Sequence, residues 1–311
     1  MKTCNLLAPA KINLYLEILG ERFDNYHELI MVLQSIELSD YIKINFNGTQ
    51  NINLYCNNLL VPLNETNIAY RAAQLIIKKF PNSLNLYGGV DIIIDKRIPV
   101  AAGLAGGSTD GAAVLLALNL LWKLDLNDYE LQKLGEELGS DVPFCINGGT
   151  AIATGKGEII NPINKLDNLW IVLAKYQNFS ISTPWAYQKH KEQFGKCYEK
   201  NDKKKNSNNF ELLINAIDQK DGQKIGNLLY NDLEKVVLSE HLMITELKSF
   251  MEKMGGLGTM MSGSGPTIFT LCQSREQAEE IKNIIVKTFQ DPNLELFISK
   301  LSSNGINNIK S

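Results

Sequence analysis

The run at residues 99–113, P-V-A-A-G-L-A-G-G-S-T-D-G-A-A, constrains this chain more than any other stretch. Before it, Val90–Asp95 (V-D-I-I-I-D) is short and β-branched, as a largely buried strand is. After it, residues 112–122 form an almost unbroken run of Ala, Leu and Val, long enough for a buried helix. Between them lie Gly103, Gly106 and Gly107, then Ser108 and Thr109 as helix-capping candidates. A glycine loop feeding a helix N-terminus offers backbone N–H groups and the positive dipole end to an anion, usually a phosphate. The same residues also make a tight strand-to-helix turn that binds nothing, and three glycines alone do not choose between the two.

The commoner nucleotide loops are excluded. A Walker A loop needs Lys followed by Ser or Thr directly after its last glycine, and none follows Gly107. The nearest imitation, G-T-A-I-A-T-G-K-G at 149–157, has one residue too many and ends in Gly where a hydroxyl belongs. No G-x-G-x-x-G occurs, and neither do the H-R-D and D-F-G marks of protein kinases. At 311 residues the chain is long for one core, which predicts two domains divided near residues 162–167. A net charge of −3 leaves no electrostatic footprint for nucleic acid. The N-terminus M-K-T-C-N-L-L-A-P-A-K lacks the apolar centre of a signal peptide, and no window approaches the ~20 apolar residues of a membrane span, so a cytoplasmic protein is expected. The five cysteines, without any C-x-x-C, read as reduced packed thiols, and His27, His190 and His241 have no metal-ligand spacing.

In chain order, residues 10–18 (A-K-I-N-L-Y-L-E-I) alternate, which puts Ile12, Leu14, Leu16 and Ile18 on one face and Lys11, Asn13, Tyr15 and Glu17 on the other. A polar turn at 20–29 carries Tyr26-His27, with Asn25 able to take a left-handed conformation. Residues 32–46 read as strand material broken at Ser39-Asp40, and 64–80 as a helix capped near Glu65 or Thr66. Asn127 caps a helix that stops at Gly139. Asp141 then stands between a helix stop and an apolar run, either as the cap of a short helix with Pro143 in its first turn or as an acid with a task. The polar stretch 196–209 reads as a mobile excursion, residues 255–265 as a second glycine-rich loop, and strands and helices fill the rest without an internal repeat.

Six segments in register resemble the GHMP kinase superfamily and, within it, the 4-diphosphocytidyl-2-C-methyl-D-erythritol kinase family. They are A-P-A-K-I-N at 8–13, G-E-R-F-D-N-Y-H at 20–27, I-D-K-R-I-P at 94–99, P-V-A-A-G-L-A-G-G-S-T at 99–109, G-S-D-V-P-F at 139–144 and M-S-G-S-G-P-T-I-F at 261–269. The resemblance implies an α+β fold of two domains, 1–162 similar to the second domain of ribosomal protein S5 and 163–311 ferredoxin-like. It implies ATP-dependent phosphorylation of an alcohol, the 2-hydroxyl of a cytidine-diphosphate-linked methylerythritol on the route to isoprenoid precursors, with Mg²⁺ as a second cofactor. Asp141 matches the family's base and Lys11 its active-site lysine, whose charge favours both the ionised acid and the developing alkoxide. Pro99, Val100, Ala101, Ala102, Gly103, Leu104, Ala105, Gly106, Gly107, Ser108, Thr109 and Asp110 match the triphosphate loop, with Ser108 and Asp110 as candidate Mg²⁺ ligands. Asn67 and Lys96 match positions near the nucleoside of ATP. On the substrate side stand Asn13, Tyr26, His27, Thr183, Tyr187, Gly263, Ser264 and Gly265, with Tyr26 and Tyr187 expected to sandwich the pyrimidine.

This chain departs from the family's common form at Ala101 and Ala102, where glycines are frequent, at Thr109 in place of Ser, at Gly111 in place of Ala, and at Asn25 in place of Gly. Homoserine and mevalonate kinases of the same superfamily are the rival activities, and they would have no use for a Tyr-His-Tyr frame around a pyrimidine. A non-catalytic nucleotide-binding relative would be expected to have lost Lys11 or Asp141.

Overall fold

The structure is a computed structural model that describes residues 3–195 and 204–309. The chain opens with two long antiparallel strands, β1 (Thr3–Glu21) and β2 (His27–Phe46), joined by a turn in which Asn25 takes a left-handed φ of 64°. The alternation in β1 does not keep one face. Its register with β2 shifts between Pro9 and Lys11 and again between Asn13 and Tyr15. Ile12 and Leu14 therefore pack in one buried cluster, with Tyr15, while Leu16 and Ile18 pack in the other. A bulge adds one residue to one strand and moves every later side chain to the opposite face. Nor is β2 broken at Ser39-Asp40. Asp40 pairs across from Ala8 and is fully buried, because its carboxylate finds partners described below.

Next come β3 (Ile52–Cys56), α1 (Ile68–Lys79), α2 (Pro81–Tyr87), β4 (Val90–Asp95) and α3 (Gly106–Leu121). The cap of α1 is Asn67 rather than Glu65 or Thr66, since its Oδ1 accepts the Ala69 N–H at 2.8 Å. The start of α3 also differs from expectation. Ala105, left-handed at φ 55°, occupies the N-cap without a side-chain bond, and Ser108 and Thr109 lie inside the first turn. Gly111 is not a loose spot in α3: a Cβ there would lie 2.5 Å from Ile68 Cγ2, so its absence lets α1 and α3 approach. The domain continues through α4 (Asp128–Glu136), whose Asn127 and Glu130 form a capping box, then α5 (Val142–Asn147), β5 (Thr150–Gly155) and β6 (Ile159–Pro162).

From residue 170 the pattern restarts with β7 (Trp170–Tyr176) and α6 (Thr183–Phe194). Residues 196–203 of the expected excursion lie outside the described residues. From Lys204 the chain is helical, as α7 (Lys204–Asp218), because Leu213, Ala216 and Ile217 give that segment a buried stripe. Then follow α8 (Gly222–Asn227), β8 (Tyr230–Asn231), α9 (Glu234–Glu240), α10 (Leu242–Glu252), β9 (Gly258–Met261), β10 (Ile268–Cys272), α11 (Arg275–Phe289), β11 (Leu294–Lys300) and β12 (Asn307–Asn308). Strand β9 forms inside what the sequence presents as a glycine-rich loop, paired to β10 from Gly258↔Leu271 to Met261↔Ile268.

Among the described residues the strands make two sheets. One holds β12-β1-β2-β4-β3 in order, with β5 on β2, β6 on β5 and β8 on β1; the other is β11-β7-β10-β9. Two late strands, β8 and β12, thus return to β1 of the first sheet and tie the C-terminal half to the strand that carries Lys11. No helix among the described residues is long and apolar enough to cross a membrane.

Candidate active site

A cavity of about 820 Å³ opens between β1, the glycine loop before α3, the segment before α5, the start of α6 and the loop after β9. Most of the expected site residues line it. Leu104, Thr109 and Gly265 do not. Leu104 is buried in the core, and its carbonyl takes the Lys11 N–H at 3.1 Å, so it fastens the loop to β1. Thr109 faces the interior from the first turn of α3. At Gly265, which has φ +81°, a Cβ would lie 2.5 Å from Met261 Sδ, so this glycine packs behind the wall.

At the base of the cavity Lys11 donates to Asn13 Oδ1 at 2.8 Å, and its Nζ stands 3.7 Å from Asp141 Oδ2. Asn13 is fully buried and holds its amide toward Met31 Sδ at 3.4 Å. Asp141 occupies the N-cap position of α5, yet its side chain makes no capping bond. The short-helix explanation is therefore not the use this carboxylate is put to. A carboxylate held beside an ammonium is an acceptor poised for the proton of an alcohol.

The three loop glycines differ in what they allow. Gly103 has φ +75°, and a Cβ there would sit 2.2 Å from Ser262 O. At Gly106 it would meet Lys96 Nζ at 2.9 Å and Ile98 Cγ2 at 3.1 Å. At Gly107 it would meet only Ile68 Cδ1, at 3.7 Å. Ala101 takes φ 52° where glycine is the unstrained residue. The first helical bond of α3 runs from Thr109 N–H to Ala105 O, so the amides of Gly106, Gly107 and Ser108 precede the ladder and are available to an anion.

Behind the loop lies a buried ionic triad that the sequence did not reveal. Lys96 Nζ donates to Asp40 Oδ2 at 2.5 Å and to Asp110 Oδ2 at 2.7 Å. Asp40 Oδ1 also accepts the N–H groups of Arg97 and Ile98, at 2.6 and 2.9 Å, and so fixes the chain entering the glycine loop. Burial works against the Lys96 charge, but Asp110 and Asp40 outweigh it and hold the lysine above its ordinary pKa. With two carboxylates around one ammonium, burial together with Asp40 pushes the Asp110 carboxyl well above the usual range despite Lys96. Asp110 Oδ1 has no hydrogen-bond partner among the described residues and lies on the cavity wall. Asn67, on the same side, spends its Oδ1 on the α1 cap and its Nδ2 on Pro62 O.

At the opposite end Tyr187 stacks on His27, with ring centroids 5.2 Å apart and planes 28° apart. Tyr26 lines the cavity but is half exposed, and Lys156 Nζ sits over its ring at 4.6 Å. Tyr26, His27 and Tyr187 all line the cavity, and His27 is the one whose ring meets Tyr187. Burial lowers the His27 pKa, with Glu21 opposing and Lys191 assisting. Thr183 and Ser264 hydroxyls meet at 2.8 Å and close the side of the cavity. Lys156 is a residue that sequence reasoning missed, although a lysine in a tight G-K-G turn was its visible signal.

Comparison with known proteins accords with this geometry. The models named "GHMP kinases N terminal domain" and "GHMP kinases C terminal" match residues 67–149 and 213–291. Over 98% of this chain and 98% of the relative's length, it is 56% identical to a protein of Gloeothece citriformis named 4-diphosphocytidyl-2-C-methyl-D-erythritol kinase. A protein of the same name from Trichodesmium erythraeum is 51% identical over 98% of this chain and 99% of its own. A crystal structure of 4-(cytidine 5'-diphospho)-2C-methyl-D-erythritol kinase aligns with a TM-score of 0.74 at 27% identity, covering 96% of this chain and 99% of that one. A homoserine kinase from Cytophaga hutchinsonii aligns as well by shape, TM-score 0.74, but at 19% identity over 99% of this chain and 98% of that one, which speaks to the fold alone. The chain belongs to the GHMP kinase family and, within it, to the 4-diphosphocytidyl-2-C-methyl-D-erythritol kinases.

Proposed function

We infer that this protein transfers the γ-phosphoryl group of ATP to the 2-hydroxyl of 4-diphosphocytidyl-2-C-methyl-D-erythritol, a step toward isoprenoid precursors. The observation that carries the reading is the Lys11–Asp141 pair, 3.7 Å apart, opening into the same cavity as the N-terminus of α3. In this reading Asp141 takes the proton of the hydroxyl as its oxygen attacks the γ-phosphorus. The bond from that phosphorus to the β,γ-bridging oxygen breaks, and ADP departs with the electron pair. Lys11 offsets the negative charge that develops on the attacking oxygen, while Asn13 holds the ammonium in place. The amides of Gly106, Gly107 and Ser108 receive the triphosphate.

On the cytidine side, the neutral His27 imidazole and the Tyr187 ring offer a flat, partly polar surface for a pyrimidine. Lys156 adds a cation at the same end. Mg²⁺ fits the opposite wall: Asp110 Oδ1 is an unpartnered buried oxygen, and Ser108 lies two residues before it. Among the described residues no cluster of three acidic, His or Cys side chains could hold a metal unaided, so phosphate oxygens of ATP would complete the coordination. Bound there, the ion would neutralise charge on the phosphates. The substrate is a small molecule, and the expected site of action is the cytoplasm.

Purified protein incubated with ATP and Mg²⁺ against a panel of alcohols tests the assignment. ADP should form with the cytidine-diphosphate-linked methylerythritol and remain at background with homoserine or mevalonate. Release of ADP with either of those instead would overturn the substrate.

A further inference from the structure

The segment Y-N-D-L-E at 230–234 takes no part in the chemistry above, yet three of its side chains are committed to backbone groups of β1, of β9 and of the loop after β9. Asp232 Oδ2 accepts the Ile18 N–H of β1 at 2.7 Å, and Glu234 Oε1 accepts the Met261 N–H at 2.7 Å. Asn231 is the most fully used. Its Nδ2 donates to Met261 O and to Gly263 O, both at 2.8 Å, and its Oδ1 accepts the Leu233 N–H at 3.0 Å. It is buried, lies beside Leu16 in the parallel β1·β8 pairing, and does not line the cavity. Asn231 thus joins the strand that carries Lys11 to the loop that faces it.

That loop is the part of the wall nearest the reacting groups. A Cβ at Gly263 would lie 3.3 Å from Asn13 Oδ1 and 3.7 Å from Lys11 Nζ, and Ser262 Oγ donates to Gly103 O at 3.0 Å. A trans peptide points its C=O and its N–H in opposite directions. The Met261–Ser262 peptide follows this rule: its carbonyl turns to Asn231 while the Ser262 N–H reaches Thr267 O at 2.9 Å. The Gly263–Ser264 peptide is held by the same amide, which turns the Ser264 N–H away from Asn231. Gly263 and Ser264 line the cavity on that side.

We propose that Asn231 is a positioning residue for phosphoryl transfer. One of its N–H donors holds the Met261 carbonyl and the other the Gly263 carbonyl, which fixes the Gly263–Ser264 peptide so that the cavity beside Lys11 meets an N–H donor and not a carbonyl oxygen. A flipped peptide would present an oxygen to the phosphates and repel them. The proposal rests on the reading of Lys11 and Asp141 as the reacting centre.

The test is the order of kcat among three variants assayed with ATP, Mg²⁺ and the cytidine-diphosphate-linked methylerythritol. Asn231→Asp keeps the volume and the acceptor for Leu233 but sets a carboxylate against two carbonyls. Asn231→Ala removes the donors without adding repulsion, and Asn231→Ser keeps one donor. Positioning through the two donors gives the order Ser above Ala above Asp, with Asn231→Asp at least about tenfold below wild type and KM for ATP within about threefold. A role in packing alone gives the reverse, with the isosteric Asn231→Asp least affected, and that result overturns the proposal. So does a loss that matches the fraction of unfolded protein by near-ultraviolet dichroism, or wild-type kcat in all three. Should Asn231→Asp not fold, the comparison of Ser with Ala still decides when it is made at equal thermal midpoints: Ser above Ala in kcat supports the donor reading, and equal kcat overturns it. Asp141→Asn run alongside separates the two claims: normal turnover there overturns the reacting centre, not the loop.

Discussion

Asp141 sits where a helix cap belongs, but its carboxylate makes no capping bond and instead stands 3.7 Å from the Lys11 ammonium. Position and use are separated in this residue, and that separation can be measured. Asp141→Asn removes the proposed base without removing a cap, so the thermal midpoint of the ligand-free protein should stay within a few degrees of wild type. Turnover should fall by about 10²–10⁴-fold, the usual worth of a positioned general base. Steady-state kinetics beside a melting curve check both. A large drop in midpoint with turnover intact would return Asp141 to a structural role.

The loop glycines call for different variants. Gly106→Val is a poor probe of phosphate approach, because a side chain there strikes Lys96 and Ile98 and so disturbs the triad first. Gly107 is the informative position, exposed on the cavity wall with only Ile68 Cδ1 within 4 Å of a Cβ. Gly107→Ala lies in the first turn of α3, where alanine is favoured by roughly 0.5–1 kcal/mol, so the ligand-free midpoint should hold or rise. The added methyl should lower ATP affinity by calorimetry. Unchanged affinity in this variant would mean that the triphosphate does not approach the backbone at Gly107.

Much of the fold was legible, and the failures have local causes. Strand Val90–Asp95, the buried helix after the glycines and the Asn127 cap follow from β-branching, apolar run length and a capping box, all of which are short-range signals. The faces of β1 were not legible, because a bulge depends on the partner strand and leaves no mark in the strand's own alternation. Asp40 read as a break because an acid inside a strand needs a partner, and that partner, Lys96, lies 56 residues away. For the site, many of the residues that line the cavity were legible through the six motifs, whereas which side chains touch was not. His27, the first residue of β2, meets Tyr187, whereas Tyr26, in the turn before it, meets Lys156.

The His27–Tyr187 pair, proposed to receive the cytidine, yields a kinetic prediction with a pH signature. Tyr187→Ala removes the ring stacked on His27 and should raise KM for the cytidine-bearing substrate, on the order of 1–3 kcal/mol if base stacking there resembles nucleic-acid platforms. KM for ATP should not follow. Because burial lowers the His27 pKa, the imidazole is neutral at and above the ordinary histidine range. KM for the cytidine substrate should therefore be flat through neutral pH and rise only in acid, where His27 gains its proton. A rise in KM centred near neutrality would instead place a charged imidazole at the base.

Lys156→Met tests the other ring at that end. The cation lies 4.6 Å above Tyr26 on a β5–β6 turn, and methionine keeps most of the stem while losing the charge. We expect KM for the cytidine substrate to rise several-fold with kcat for the reaction nearly unchanged, because the Lys156 ammonium is set over the Tyr26 ring whereas the Asp141 carboxylate is paired with Lys11. An equal fall in kcat would put Lys156 in the reacting centre.

Asp110 allows stability, pH and metal to be read in one variant. Its folded-state pKa is raised by burial and by Asp40, so the folded protein binds that proton more tightly than the unfolded chain does. For a raised carboxyl, the stabilisation is fully present below the unfolded carboxylate pKa and is lost as pH rises through the folded one. Asp110→Asn cannot titrate, and it still offers Lys96 an acceptor while leaving Asp40 as the balancing charge. Without ligand, its midpoint relative to wild type should therefore be higher at about pH 8.5 than at about pH 5. An equal difference at the two pH values would mean that Lys96 outweighs burial and keeps Asp110 ionised throughout. Ligand then separates the metal role from the ionic one: ATP with Mg²⁺ should raise the wild-type midpoint more than the variant's, whereas ATP with EDTA should shift the two alike. Equal shifts under both conditions would remove Asp110 from the Mg²⁺ site and leave it as a partner of Lys96.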